Sequence, residues 1–130
     1  MPAPGENLKI DPDRLWDSLM EMAKIGPSVA GGNNRQTLTD EDAEGRALFQ
    51  KWCEDAGCTM GLDQMGNMFA QRDGTDPDAL PVYVGSHLDT QPTGGKYDGI
   101  LGVLGGLEIL RTMNDLGIKT KHPIVVVNWT

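Results

Sequence analysis

The sequence predicts an α/β fold built on a mostly parallel sheet flanked by helices. Three observations carry that prediction. Val82, Tyr83, Val84 and Gly85 form a short apolar strand that ends at "SHLD". An apolar segment of helical spacing follows from Gly99 to Leu116. The run "PIVVVNWT", residues 123–130, is then continuously apolar, as strands buried on both faces of a parallel sheet are. Strand, loop, buried helix and strand in that order make a βαβ unit with a right-handed crossover. In such sheets ligands gather beyond the carboxyl ends of the strands.

Leu15, Leu19, Met22 and Ile25 recur at helical spacing, and Asp11, Pro12 and Asp13 stand at the entrance, where a cap, a first-turn proline and acids belong. Gly26-Pro27 ends that helix. The stretch "GPSVAGGNNRQTLTD" has no period and many turn formers, so it reads as a loop, on which Arg35 is an exposed arginine or, as the alternative, one with a site-side or structural role. Thr39 opens a second helix. Asp40, Glu41 and Asp42 suit the positive end of its dipole, and Phe49, Trp52 and Cys53 continue it towards Gly57. "CTMGLDQMGNMFAQRDG" alternates weakly and predicts one or two short strands as an exposed hairpin. In the third helix, Gly99, Gly102, Gly105 and Gly106 leave a bare stripe where a backbone or sheet can approach. Gly117 stops it. "PIVVVNWT" is expected to have too few neighbours and a free, aggregation-prone edge.

Bulk properties narrow the function. The 130 residues suit one domain or part of a larger one. Eleven Lys and Arg against 19 Asp and Glu leave a net charge of −8, which excludes the basic face a phosphate backbone needs. No apolar segment approaches the roughly 20 residues that span a bilayer. Met1–Ile10 lacks a basic start followed by an apolar run, so a cytoplasmic location is expected. Cys53 and Cys58 are the only cysteines. Their spacing is no zinc pattern, and both read as small residues in or beside a helix.

The loop between the βαβ strand and helix concentrates the chemistry. His87 and Asp98 offer one imidazole nitrogen and one carboxylate, donors that suit a divalent ion. Asp89 lies two residues after His87, so in an extended chain both side chains point the same way, and Asp89 can accept the second imidazole N–H. Gly94, Gly95 and Gly99 let the loop fold tightly. Read singly, Asp98 is a helix cap and His87 a satisfied core histidine; read together in this loop, they form a partial metal site, since two ligands do not complete one. Rival motifs fail. A phosphate loop would need Gly at position 90 and Ser or Thr at 97, where the chain has Thr90 and Tyr97; G-x-G-x-x-G and G-x-S-x-G are both absent. His122, in "KTKHPI", reads as a solvated loop residue. Gln91 and Thr93 border the loop.

"GSHLDTQPTGGKYDGILGVLGGLEIL" resembles the M20-type zinc amidohydrolases, and most of all the branch containing N-carbamoyl-L-amino acid hydrolase, β-ureidopropionase and allantoate amidohydrolase. "GGNNRQTLTDED" and "GNMFAQRDG" resemble the same branch, which extends the likeness from about Leu15 to Thr130. The resemblance implies the N-terminal portion of a zinc-peptidase-like catalytic domain over residues 1–130. It implies that His87 ligates one ion of a two-metal centre, that Asp98 bridges both ions, and that Asp89 is a catalytic residue through orienting His87. It implies two divalent ions (zinc, or manganese or cobalt), an attacking water or hydroxide, a small-molecule substrate and a homodimer. The family pattern continues after this strand with a Glu-Glu pair, base and ligand, then with further histidine ligands and a smaller lid and dimerisation domain. The expectation is therefore an N-terminal fragment, inactive alone, of an enzyme that hydrolyses linear non-peptide C–N bonds, with N-carbamoyl-L-amino acids favoured. Allantoate hydrolysis, dipeptidase or aminopeptidase activity, and a non-catalytic α/β fragment are the alternatives.

Overall fold

A computed structural model of the chain describes residues 8–130. The first helix, α1 (Pro12–Ala23), begins as its entrance residues require: Asp11 is the N-cap and accepts the Arg14 N–H at 3.1 Å, and Pro12 takes the first turn. It buries Leu19 and Met22. The second helix, α2 (Asp40–Asp55), is capped by Thr39, whose hydroxyl accepts the Asp42 N–H at 3.2 Å, while the Asp42 carboxylate returns a bond to the Leu38 N–H at 3.0 Å. That reciprocal arrangement satisfies two donors at the helix start.

Strands β1 (Thr59–Leu62) and β2 (Met68–Arg72) form the expected hairpin. Asp63 closes its turn by accepting the main-chain N–H groups of Met65 and Asn67 and the Asn67 side-chain amide, bonds that hold its carboxyl below the usual carboxylate range. Strand β3 (Val82–Ser86), helix α3 (Ile100–Asp115) and strand β4 (Ile124–Asn128) make the βαβ unit, with Val84 opposite Val126 in a parallel register.

The strand order is β1-β2-β4-β3, which corrects two expectations. The sheet is mixed rather than mostly parallel within these residues: β3–β4 is parallel, whereas β1–β2 and β2–β4 are antiparallel. Parallel neighbours need a long crossover. Only α3 provides one; a tight turn joins β1 to β2, and the link 73–81 contains no helix. β4 also has no free edge. It pairs with β2 on one side and β3 on the other, so the hairpin is docked by its second strand and the free edges are β1 and β3.

One core cluster joins Leu19 and Met22 of α1, Phe49 and Cys53 of α2, Val103, Leu104 and Leu107 of α3, and Met68, Ala70 and Val126 of the sheet. Two of the α3 glycines do what the bare stripe predicts. A Cβ on Gly106 would stand 3.1 Å from the Val126 side chain, and one on Gly102 would stand 2.7 Å from the Ser86 Cβ. Gly105 faces open space.

The helix pair α1–α3 contains a polar link that periodicity does not announce. Glu108, on the apolar α3, is fully buried. Its carboxylate accepts Arg14 Nε at 2.8 Å and Nη2 at 2.6 Å, the Asp11 N–H at 3.2 Å and the Thr112 hydroxyl at 3.1 Å. This bidentate pairing raises the Arg14 guanidinium pKa above its ordinary value.

Cys53 and Cys58 are both buried and free, as their spacing suggested. Burial raises both thiol pKa values above the ordinary 9.0, because the thiolate would be desolvated. The unfolded chain releases these protons above about pH 9 while the folded chain keeps them, so stability falls as pH rises past that point. The expected result is negligible labelling of either thiol by iodoacetamide at pH 8 in the folded protein and complete labelling in urea. Rapid native labelling would contradict their placement.

Candidate active site

The loop after β3 enters the site through a main chain held on both sides. Leu88 is fully buried. Its N–H donates to Asn128 Oδ1 at 3.0 Å, and its carbonyl accepts Arg35 Nε at 3.1 Å. Its neighbours His87 and Asp89 are only partly buried, with side chains 41% and 31% exposed. The loop thus anchors its apolar residue and presents the polar residues on either side of it.

His87 Nδ1 lies 2.9 Å from the main-chain carbonyl of Asp89 and 3.3 Å from its carboxylate. A carbonyl only accepts, so this contact calls for a proton on Nδ1, an arrangement that in a neutral imidazole leaves the lone pair on Nε2. Asp89 therefore does meet His87, and mostly through its backbone oxygen, a contact the side-chain argument did not foresee. The imidazole rests against Gly99. A Cβ there would stand 2.3–2.5 Å from three ring atoms, and Gly99 has φ +80° and ψ −48°, outside the range of ordinary L residues. Gly99 is the N-cap of α3, and no side chain caps it. Asp98, the residue before, is exposed and lines the same cleft as His87. Of the other loop glycines, Gly94 is crowded at 3.1 Å from the Thr90 Cβ, and Gly95 has no neighbour within 4 Å.

His87, Asp89, Thr90, Gln91, Thr93 and Asp98 line one cleft of about 370 Å³, together with Gly94 and Gly95. Among the described residues no three His, Cys, Asp or Glu side chains converge as a complete metal site requires. A larger cleft of about 480 Å³ lies among α1, α2 and α3. Its cations are already engaged: Arg14 pairs with Glu108 and Asp115, and Arg111 bonds Ser18 at 2.8 Å and stacks over Trp52. The smaller cleft is the one that brings an imidazole and carboxylates together. His122 lies apart, exposed, with Nδ1 bonded to the Leu80 carbonyl at 2.7 Å.

The aperiodic loop before α2 bonds to the site loop through Leu88, Thr90 and Gly94, and its Arg35 corrects the sequence reading. Arg35 is fully buried, not exposed. Besides Leu88 it donates from Nη1 to the carbonyls of Met22 at 3.1 Å and Ile25 at 2.6 Å. Its main chain pairs with Thr90: the Arg35 N–H donates to Thr90 Oγ1 at 2.7 Å, and the Thr90 N–H donates to the Arg35 carbonyl at 2.7 Å. Asn33 and Gly94 exchange main-chain bonds of 2.9 Å in both directions. Burial lowers the Arg35 guanidinium pKa, and the negative charges of Asp42 and Asp89 oppose that shift. The signal available in the sequence was the dense "GGNNR", where Gly32 allows the Gly94 carbonyl to come within 2.0 Å of where a Cβ would stand.

No family model matches the chain. The chain is 78% identical, over its whole length, to the N-carbamoyl-L-amino-acid amidohydrolase of Rhizobium meliloti, of which it covers 31%. It is 43% identical over 93% of its length to the N-carbamoyl-L-amino acid amidohydrolase of Geobacillus stearothermophilus, covering 30% of that protein. A hydantoinase/carbamoylase family amidase from Burkholderia vietnamiensis superimposes on 95% of the chain with a TM-score of 0.94 at 56% identity, again over 30% of the solved chain. The chain thus spans about 30% of the length of the relatives it matches. Over that span it is similar in sequence to these amidohydrolases and in fold to a solved amidase of the hydantoinase/carbamoylase family.

Proposed function

We propose that a protein of the relatives' length containing this chain hydrolyses the ureido C–N bond of N-carbamoyl-L-amino acids, with two divalent ions held partly by His87 and Asp98. The observation that carries the reading is the His87 contact: Nδ1 faces the Asp89 carbonyl at 2.9 Å, which leaves Nε2 as the nitrogen available to an ion in the cleft that Asp98 also lines. One imidazole nitrogen and one carboxylate fit zinc, manganese or cobalt. Bound ions would lower the pKa of water and polarise the ureido carbonyl. The chain's own residues then have defined tasks. His87 and Asp98 offer the ligating atoms. Asp89 orients the imidazole and strengthens it as a donor. Gly99 leaves room for the ring to lie against the start of α3.

This chain would be the N-terminal portion of the catalytic domain, with the base and the other ligands supplied from elsewhere in the protein, and alone it would be inactive. The 78% identity to a carbamoyl hydrolase favours carbamoyl substrates. A net charge of −8 supports a small-molecule rather than a nucleic-acid partner. Among the described residues no helix is long and apolar enough to cross a membrane. Two free, buried thiols suit the reducing cytoplasm, and the family resemblance supports a homodimer.

The test is ammonia release from N-carbamoyl-L-amino acids, N-carbamoyl-β-alanine, allantoate and a dipeptide, using protein stripped of metal and then resupplied. Metal-restored turnover of the carbamoyl amino acids is expected, with His87→Ala and Asp98→Ala each lowering it at least about 10³-fold, or ~4 kcal/mol of lost transition-state stabilisation. Turnover of the dipeptide alone, or full activity in either variant, would overturn the reading.

A further inference from the structure

We propose that Arg35 is a positioning residue for the centre at His87 and Asp98, holding the segment 87–90 in its ligating geometry from behind. The inference rests on the function proposed above. The guanidinium is fully buried and spans two elements: Nη1 is fixed to the carbonyls of Met22 and Ile25 at the end of α1, and Nε reaches the Leu88 carbonyl. The Arg35 main chain holds Thr90 through two bonds of 2.7 Å. Leu88 and Thr90 bracket Asp89, and Asp89 bears the carbonyl that fixes the His87 tautomer. A shift of the Leu88–Thr90 backbone therefore moves the atom on which His87 depends.

The same guanidinium keeps Nη2 buried with no partner among the described residues. An apolar side chain of similar length would avoid that cost but would take the Arg35 donors from the carbonyls of Met22, Ile25 and Leu88.

The experiment uses full-length protein stripped of metal and titrated with Co²⁺. It follows visible absorption and affinity by chelator competition, at a temperature well below the melting transition. Arg35→Met removes the donors without creating a buried charge. It is expected to weaken Co²⁺ affinity by about 10- to 100-fold, the range for losing an outer partner of a metal ligand, and to alter the absorption spectrum. Arg14→Met, remote from the cleft, should lower the melting temperature and leave both readouts unchanged. Co²⁺ affinity and spectrum within about twofold of wild type in folded Arg35→Met would overturn the proposal while the function reading stands. If Arg35→Met does not fold, Thr90→Val decides. It deletes one of the two main-chain clamps and is expected to weaken Co²⁺ binding several-fold, and unchanged binding would overturn the proposal. If the wild type binds no Co²⁺, or binds it equally with His87→Ala, the function reading fails and this inference with it.

Discussion

Gly99→Ala is expected to abolish most of the metal-dependent turnover while leaving every proposed ligand in place. Two costs combine at that position. The backbone at φ +80° and ψ −48° is strained for any residue with a Cβ, by about 1–3 kcal/mol. The added methyl would also stand 2.3–2.5 Å from three atoms of the His87 ring, so the imidazole must move. A displacement of about 1 Å at a reacting centre costs roughly 100-fold in rate. Gly105→Ala is the matched control. It lies on the same helix with no neighbour within 4 Å, and it should be neutral or slightly stabilising. Comparing kcat for the two variants with their urea midpoints separates the effects. Near-wild-type turnover in Gly99→Ala would show that the imidazole does not depend on this contact.

Arg14→Met carries the largest expected loss of stability. Removing Arg14 strands Glu108, which is fully buried and would keep only the Asp11 N–H and the Thr112 hydroxyl as donors. Breaking one side of a buried ion pair costs about 3–5 kcal/mol. The lower end, about 3 kcal/mol, applies here because the Arg14 side chain is 30% exposed and part of the pair is screened. Replacing both partners, Arg14→Met with Glu108→Leu, removes the stranded charge. Urea unfolding should therefore place the double variant nearer wild type than the single one. A double variant as unstable as the sum of its singles would mean that the two residues act independently.

Glu108 and Asp89 differ in how far their partners lie along the chain. Local rules served where the physics is local. The Asp11 and Thr39 caps, the glycine stripe facing Val126 and the parallel pairing of β3 with β4 all follow from residues within a turn or from a period. His87, Asp89 and Asp98 could be grouped from the sequence because they share one short loop, and the structure places all three along one cleft. Arg35 and Leu88 are 53 positions apart, and Arg14 and Glu108 are 94 apart. No spacing rule links such pairs, so Arg35 read as an exposed loop residue and Glu108 passed unremarked in an apolar helix. Asn128, which holds the Leu88 N–H from the end of β4, was hidden for the same reason. The mixed sheet was missed because a hairpin and a βαβ unit look independent in sequence until β2 is seen to pair with β4.

The most direct test of the central claim is anomalous diffraction from crystals of the metal-loaded, full-length protein, collected at the absorption edge of the bound metal. The account predicts a peak about 2.0–2.2 Å from His87 Nε2 and from an Asp98 carboxylate oxygen, with Nδ1 still turned to the Asp89 carbonyl. A metal bound through Nδ1, or held by residues that include neither His87 nor Asp98, would contradict it.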